Sequence, residues 1–350
     1  MKDKSWIKIA SIYVGTIIGA GFASGQEIMN FFGKFGFKGL LGILISTMLF
    51  CLIGSIILIT TYESKINTYN QLLAKIFGKN ICKIIDFIII LFLLAGYCIM
   101  LAGSGALFYE QFNINHNIGI IIMAITTFFT FIYSLKGLSL VNTIIVPFLL
   151  IVIVFIGGIV IFNEGIDFNA LNEINSLNND NFILSSITYV GYNMIPSLVI
   201  LTSISPIIDK KKNAIKGGIV GGLFLGILSL FILMPCLILY KDISSLEIPM
   251  LNIASYSSYK GKYLYSIILW CAMFTTAIGN GFGFIKRISP LFKINDKILA
   301  FILSFTSIFL AKFGFSNLVS TIYPLFGYIS LFILIFALIK FILYKLSNSH

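Results

Sequence analysis

Apolar and polar stretches alternate along this chain in a regular order. Ten apolar segments can be marked, at 6–35, 39–62, 84–110, 118–134, 139–162, 182–205, 215–240, 263–285, 298–313 and 317–344, with polar loops between them. A helix needs roughly 20 apolar residues to cross a bilayer, and most of these segments come close to that length. The pattern predicts an all-α polytopic membrane protein of ten transmembrane helices in a single domain. Because five is odd, segments one to five and six to ten would cross in opposite senses. That makes a 5+5 inverted repeat with halves at approximately 5–162 and 182–344.

The first segment is longer than one crossing requires, and its middle reads Gly15-Thr16-Ile17-Ile18-Gly19-Ala20-Gly21-Phe22-Ala23-Ser24-Gly25-Gln26-Glu27. Glycines weaken a helix interior and permit other backbone angles. Backbone released from helix at membrane depth is tolerated only where it is buried in protein or lines a cavity. A helix ending near Ile18 would leave carbonyls that suit a cation, and a second helix would offer N–H groups that suit a carboxylate. Ser24 and Glu27 have capping-box spacing, which would start that second helix at Ser24. An unbroken helix with Gly15 and Gly19 as a packing face reads equally from this stretch alone.

The sixth segment repeats the theme: Gly191 lies in mid-span and Pro196 follows five residues later. A break around Val190 to Asn193 is expected, since proline suits a helix's first turn and disrupts its interior. Interrupted helices at corresponding positions of two inverted halves point to a transport site. In the eighth segment, Thr275, Thr276 and Asn280 put hydroxyls and an amide at mid-depth. Hydroxyl oxygens suit a hard cation, or each threonine can bond the preceding helical turn. Tyr97 in the third segment is a candidate substrate contact beside glycines that packing would also explain. Glu27 is the one carboxylate well inside a span; intramembrane acids are costly, so a proton or gating role stands beside the capping role. Pro147 and Pro324 occupy corresponding positions and are candidate kinks.

Three loops add detail. Residues 65–80, with Thr68 and Gln71 in capping spacing, predict a short amphipathic helix on the inner surface. Residues 241–262, with Ser244 and Glu247 in the same spacing, predict either a short outer helix acting as a lid or an ordinary interfacial loop. Residues 163–181, rich in Asn and acid, predict a solvated outer loop. Asp86 is expected to meet solvent or Lys83.

Composition narrows the class. The chain is 58% hydrophobic and 11% charged, with mean hydropathy +1.01, whereas soluble domains carry roughly 25% charged residues. A net charge of +11 would suggest nucleic acid in a soluble protein. Here 18 of the 24 Lys and Arg fall in loops on the side of the N-terminus and 6 on the other, so the charge follows membrane topology. The positive-inside rule then places both termini in the cytoplasm and the protein in the cell membrane. The 5 cysteines are isolated and the 2 histidines far apart, which indicates neither a disulfide framework nor a metal cluster. The N-terminus mimics a signal peptide, but the segment resumes as apolar helix.

These features together resemble the leucine-transporter fold of the amino acid–polyamine–cation superfamily. More narrowly, residues 19–27, Tyr189-Val190-Gly191-Tyr192-Asn193 and 274–280 resemble the YkvI-type bacterial membrane proteins, described as amino acid permeases. The resemblance implies a Na⁺ site built from the carbonyls of Gly15, Ile18 and Ala272 with the hydroxyls of Thr275 and Thr276. It implies substrate contacts at Gly19, Ala20, Gly21 and Phe22, facing Thr188, Tyr189 and Gly191. Proton-coupled members can carry a lysine on helix five, and segment five has none, which favours Na⁺. The expected function is secondary transport of an amino acid or similar small zwitterion, Na⁺-coupled, with no catalytic residues, no cofactor beyond the coupling ion and no nucleic-acid partner. A small-molecule receptor on the same fold and a proton-coupled permease are the alternatives. An intramembrane enzyme is disfavoured, because no span carries paired acids or a nucleophile–base arrangement.

Overall fold

The computed structural model describes residues 4–65, 68–133, 138–165 and 181–347. Most of the loop at 163–181, and Lys2, Lys136 and His350, lie outside the described residues. The apolar segments form α1 (Ser5–Ile17), α2 (Ala20–Ser24), α3 (Gln26–Phe31), α4 (Phe37–Ser64), α5 (Tyr69–Phe77), α6 (Lys79–Phe112), α7 (His116–Tyr133) and α8 (Leu138–Glu164). After the long loop come α9 (Phe182–Ser203), α10 (Lys211–Ile238), α11 (Tyr240–Ile243), α12 (Pro249–Ser257), α13 (Tyr259–Phe292), α14 (Asp296–Ala311) and α15 (Phe315–Ser347). Eight of these helices are long and apolar enough to cross a membrane. The interrupted α1–α3 and the 16-residue α14 are the two expected segments that fall short by that measure. Large apolar side chains face outward, with Phe162 90% and Phe332 77% exposed, which hydrocarbon accepts and water would not.

A glycine seam sets how closely the elements approach. On α10, a Cβ at Gly218, Gly222 or Gly226 would strike Ser55, Cys51 or Thr47 of α4, a register of four residues on each helix. One residue earlier in the repeat, Gly217 and Gly221 meet Ile9 and Tyr13 of α1. Lipid tails offer no hydrophobic drive between helices, so close packing of small residues carries the association. The Ser55 hydroxyl and Cys51 thiol donate to the carbonyls of Ile215 (3.4 Å) and Ile219 (3.3 Å) across this seam. It holds α1 against α4 and α10 and so fixes where α1 must end.

The sixth segment corrects an expectation. α9 runs unbroken from Phe182 to Ser203 with Pro196 inside it. Proline removes one N–H and its bond to the carbonyl four residues back. Side chains around it supply other bonds: Asn193 Nδ2 donates to the Tyr189 carbonyl (3.0 Å) and Ser197 Oγ to the Asn193 carbonyl (2.8 Å). Neighbouring groups of this kind let a transmembrane helix carry proline without separating.

The amphipathic helix at 65–80 is present as α5, capped by Thr68 Oγ1, which accepts from Gln71 N at 3.4 Å. Its apolar face does not lie on lipid: Leu73 and Phe77 pack with Cys82, Ile85 and Ile89 at the base of α6. Asp86 is half-buried and has a partner that was not expected. Its Oδ1 accepts from the Tyr69 hydroxyl at 2.6 Å, and Arg287 Nη2 donates to the same hydroxyl at 2.7 Å. Half-burial, then the bond to Asp86, pushes the Tyr69 hydroxyl up to about 12, so it keeps its proton to donate.

Candidate functional site

Segment one is interrupted twice. α1 ends at Ile17 with Ile18 extended (φ −78°, ψ 97°), and Gly19 follows at φ −112°, ψ −172°. α2 then makes barely one turn before Gly25 takes the left-handed conformation at φ +82°. A side chain at Gly25 would be strained there and would also meet Met250 of α12, so glycine is required twice over. Every residue of α2 is buried. The peptide groups released at both breaks are therefore inside the protein, as membrane depth demands.

The capping box is not formed. Ser24 Oγ donates to the Gly21 carbonyl (2.7 Å) and accepts from Gln26 N (3.2 Å), while α3 starts at Gln26 after Gly25 with no side-chain cap. Glu27 is thereby released from the structural role expected of it. Its Oε2 accepts a short hydrogen bond from the Tyr192 hydroxyl of α9, and its Oε1 lies over Gly21, where a Cβ would collide with it. The carboxylate thus folds back over α2 and joins the interrupted segment to α9. From the other side, the Tyr265 hydroxyl of α13 donates to the Ala23 carbonyl.

Aromatic rings enclose Glu27. Tyr192 stacks on Tyr323 of α15 (4.6 Å, 13°) and on Phe31 (5.6 Å, 12°). Tyr189 packs edge-on against Phe32 (4.9 Å, 76°) and against Tyr192 (5.7 Å, 68°). The Tyr189 hydroxyl is buried without a hydrogen-bond partner. Beyond Phe31 a pocket of about 260 Å³ opens between α3, α9 and α15, lined by Asn30, Lys34, Asn181, Ser185, Ser320 and Tyr328 among others. Phe31 is the wall between that pocket and the Tyr192–Glu27 pair.

The expected substrate contacts divide. Gly19, Ala20, Gly21 and Phe22 do form the interruption. Tyr189 faces it together with Tyr192. Thr188 and Gly191 do not: both abut Gly327 of α15, Gly191 against its carbonyl and Thr188 through its methyl group. The Thr188 hydroxyl returns to the Leu184 carbonyl (2.7 Å). Tyr97 is wholly buried; its hydroxyl shares a hydrogen bond with Thr127 Oγ1 (2.7 Å) and lies 3.3 Å from Ser304 Oγ, tying α6 to α7 and α14 and not to the interruption.

Of the residues expected around a cation, the three on α13 bond one another. Thr275 Oγ1 and Thr276 Oγ1 both donate to the Ala272 carbonyl, at 3.1 Å and 2.8 Å. This is the back-bonding geometry, and it leaves the lone pairs of both hydroxyls free to face a cation. Thr276 Oγ1 also lies 3.8 Å from where a Gly19 Cβ would stand, so the pair abuts the first break. Gly15 and Ile18 belong to the last turn of α1 and its end, where carbonyls lose their helical partners. Gly15 also borders an apolar groove of about 440 Å³ with Trp6, Pro147, Leu150 and Phe224. Among the described residues, no three of His, Cys, Asp and Glu group as ligands for a metal ion.

The loop at 241–262 holds a short helix packed into the protein. Met250, Leu251, Ile253 and Ala254 of α12 are buried, and α12 packs on α2, α8 and α13. Ser244 and Glu247 do not cap α12. Glu110 of α6 instead holds the residues leading into α12, accepting from Glu247 N (2.6 Å) and Ile248 N (3.3 Å). Glu247 Oε2 in turn accepts from Phe315 N (2.8 Å) and Ser316 N (3.4 Å), capping α15.

Residues that reasoning from the sequence missed are Tyr192 as the partner of Glu27, Phe31 and Tyr323 in the ring stack, and Glu110. For Tyr192 a signal existed: Tyr189 and Tyr192 are three apart and share a helix face.

Comparison with known proteins gives a consistent picture. A family profile described as spore germination protein matches residues 5–317. The chain is 31% identical over 295 residues to the Uncharacterized membrane protein YkvI of Bacillus subtilis (strain 168), covering 83% of each. It is 25% identical over 318 residues to YyaD of the same organism, covering 87% of this chain and 89% of that one. Among solved structures, a mutant Eremococcus coleocola manganese transporter superposes with a TM-score of 0.62 at 14% identity, covering 94% of this chain and 78% of that one. Inward-facing Mhp1 gives 0.62 at 14%, over 92% and 72%. MhsT in complex with L-phenylalanine gives 0.57 at 16%, over 92% and 87%. At these identities the solved structures share the leucine-transporter-like fold and nothing finer.

Proposed function

The chain belongs to the spore germination protein family of permeases, and from that premise we propose that it is a Na⁺-coupled secondary transporter of an amino acid or similar small zwitterion. It works by alternating access across the cytoplasmic membrane around a site at mid-depth. Ten crossings in two inverted halves, approximately 5–162 and 182–344, form one transport domain with both termini in the cytoplasm. Membership of a permease family implies transport and not catalysis.

The observation that carries this reading is the interruption of segment one between Ile17 and Gln26, buried and faced by polar groups from two other helices. Peptide dipoles freed inside a protein can replace the water that a small charged solute loses. A hard monovalent ion prefers neutral oxygen ligands of the kind assigned to Na⁺ and tolerates irregular geometry; to join them, the Ala272 carbonyl would release the two hydroxyls that it accepts. Coupling follows if the ion joins α1 to α13 only when both halves have closed on the solute.

The test is uptake of radiolabelled amino acids into proteoliposomes. An inward Na⁺ gradient is expected to drive accumulation, and Thr275→Ala with Thr276→Ala to abolish the Na⁺ dependence. Coupling that survives the double substitution removes the cation assignment. The family description itself favours a second reading, a small-molecule receptor that signals without net transport. Ligand binding with no accumulation of tracer would select it.

A further inference from the structure

Residues 286–297 carry Lys286, Arg287, Lys293 and Lys297 against a single acid, Asp296. They join α13 to α14 on the side that the charge bias assigns to the cytoplasm. Arg287 is engaged with Tyr69. Lys286 and Lys297 instead line a cavity of about 450 Å³ between the ends of α7 and α13 and the start of α14. That volume falls within the roughly 300–1,000 Å³ of small-ligand sites, and the proposed transport function makes no use of it.

The cavity has two chemistries. Its base is Phe131, Phe282 and Ile285, and its rim is Lys286, Asn295, Asp296 and Lys297. Packing fixes the base: the Phe131 ring takes the space of a Cβ at Gly281 and meets Phe282 edge-on (5.1 Å, 82°). At the rim, Lys286 Nζ donates to Asp296 Oδ2 (2.6 Å), which uses one of the three N–H groups of the ammonium. The side chains of that pair are 67% and 44% exposed, so water already weakens it and an anion can share the lysine. Asn295 Oδ1 accepts from Lys297 N (2.9 Å), which leaves its amide N–H groups as donors. Next to the lining residues in sequence, Tyr133, Leu291 and Phe292 are 71%, 68% and 68% exposed, apolar surface that lipid covers. The cavity therefore opens at the bilayer surface.

We propose that this cavity binds an anionic phospholipid, with the phosphate between Lys286 and Lys297 and the upper acyl chain against Phe131 and Phe282. Basic pockets between transmembrane helices hold such headgroups on the cytoplasmic side. A free phosphate would use the lysines and leave the rings wet, so the apolar base favours a lipid. A lipid held there joins α7, α13 and α14 at one point. The site goes beyond the transport reading and does not depend on it.

The experiment is thermal unfolding of the full-length protein in phosphatidylcholine nanodiscs with and without phosphatidylglycerol, alongside native mass spectrometry that counts retained lipid. Phosphatidylglycerol is expected to raise the unfolding temperature and to stay bound. Lys286→Gln with Lys297→Gln is expected to weaken retention by ~5-fold per lysine, the factor for one basic residue near an anionic surface. Lys8→Gln with Lys216→Gln removes the same charge from the same side, at exposed positions of α1 and α10, and is expected to leave retention unchanged. Asp296→Asn removes the competing acid and is expected to strengthen retention, which keeps the site testable should the Lys286 and Lys297 pair fail to fold. Equal losses in the two lysine pairs would mean a diffuse surface charge and overturn the proposal. So would indifference to phosphatidylglycerol or weaker retention in Asp296→Asn. Equal stabilisation by inorganic phosphate in phosphatidylcholine discs also overturns it and assigns the cavity to a soluble anion.

Discussion

Gly21 and Glu27 define each other. The carboxylate reaches Tyr192 only because residue 21 has no side chain, its Oε1 taking the space of a Cβ. Gly21→Ala is expected to drive Glu27 off Tyr192 and lower solute uptake by at least ~10-fold, as loss of a well-placed charged contact does, with normal folding by size exclusion. Shortening the acid should relieve the collision, so Gly21→Ala with Glu27→Asp is expected to recover part of the uptake. Additive losses in the double variant would mean the two residues are uncoupled. The spacing of Ser24 and Glu27 misled at this scale. A capping box needs a regular helix start at Ser24, and the left-handed Gly25 moves the start by one residue and turns Glu27 elsewhere.

Among the elements, the 241–262 loop shows how carboxylates serve backbone other than their own. Glu110 holds the backbone leading into α12 and Glu247 caps α15, so two acids link α6, the 241–262 loop and the tenth segment. Helix N-termini favour negative charge and unpaired N–H groups need acceptors. Glu247→Gln is expected to cost about 0.5–2 kcal/mol, the range for loss of a side-chain cap. Hydrogen exchange should report it as faster exchange at Phe315 and Ser316, with α10 unchanged. Equal protection in the variant would mean the cap contributes nothing to holding the loop. The unbroken α9 belongs to this scale also: the sequence places Gly191 and Pro196 in mid-span, but Gly191 is there so that α9 and α15 can touch at Gly327. A glycine in a span marks either a break or a close contact, and sequence alone does not separate the two.

For the whole molecule, topology is the claim most open to a direct check. The charge bias puts Lys212 and Lys260 on opposite sides of the membrane, and both are exposed. In a background without native cysteines, Lys212→Cys is expected to react with an impermeant maleimide only in inside-out vesicles, and Lys260→Cys only in intact cells. The opposite labelling would invert the protein and move the pocket beyond Phe31 to the cytoplasmic face. The large outward-facing side chains are those a bilayer accepts, which is why hydropathy located the helices within a few residues.

The sequence by itself determined the helical class, the approximate segment boundaries, a candidate interruption in the first segment and the amphipathic α5, because each depends on local backbone preference or on transfer from water to lipid. Gly19, Gly21 and Gly25 permit a break without requiring one, and an apolar run of roughly 20 residues has few other places to go. The tertiary structure decided which polar group answers which. Whether Tyr97 meets a solute or Thr127, and whether Glu27 caps a helix or reaches Tyr192, turn on neighbours supplied by other segments. Glu27 and Tyr192 stand 165 positions apart and Tyr97 and Thr127 stand 30 apart, and hydropathy and spacing carry no record of such pairings.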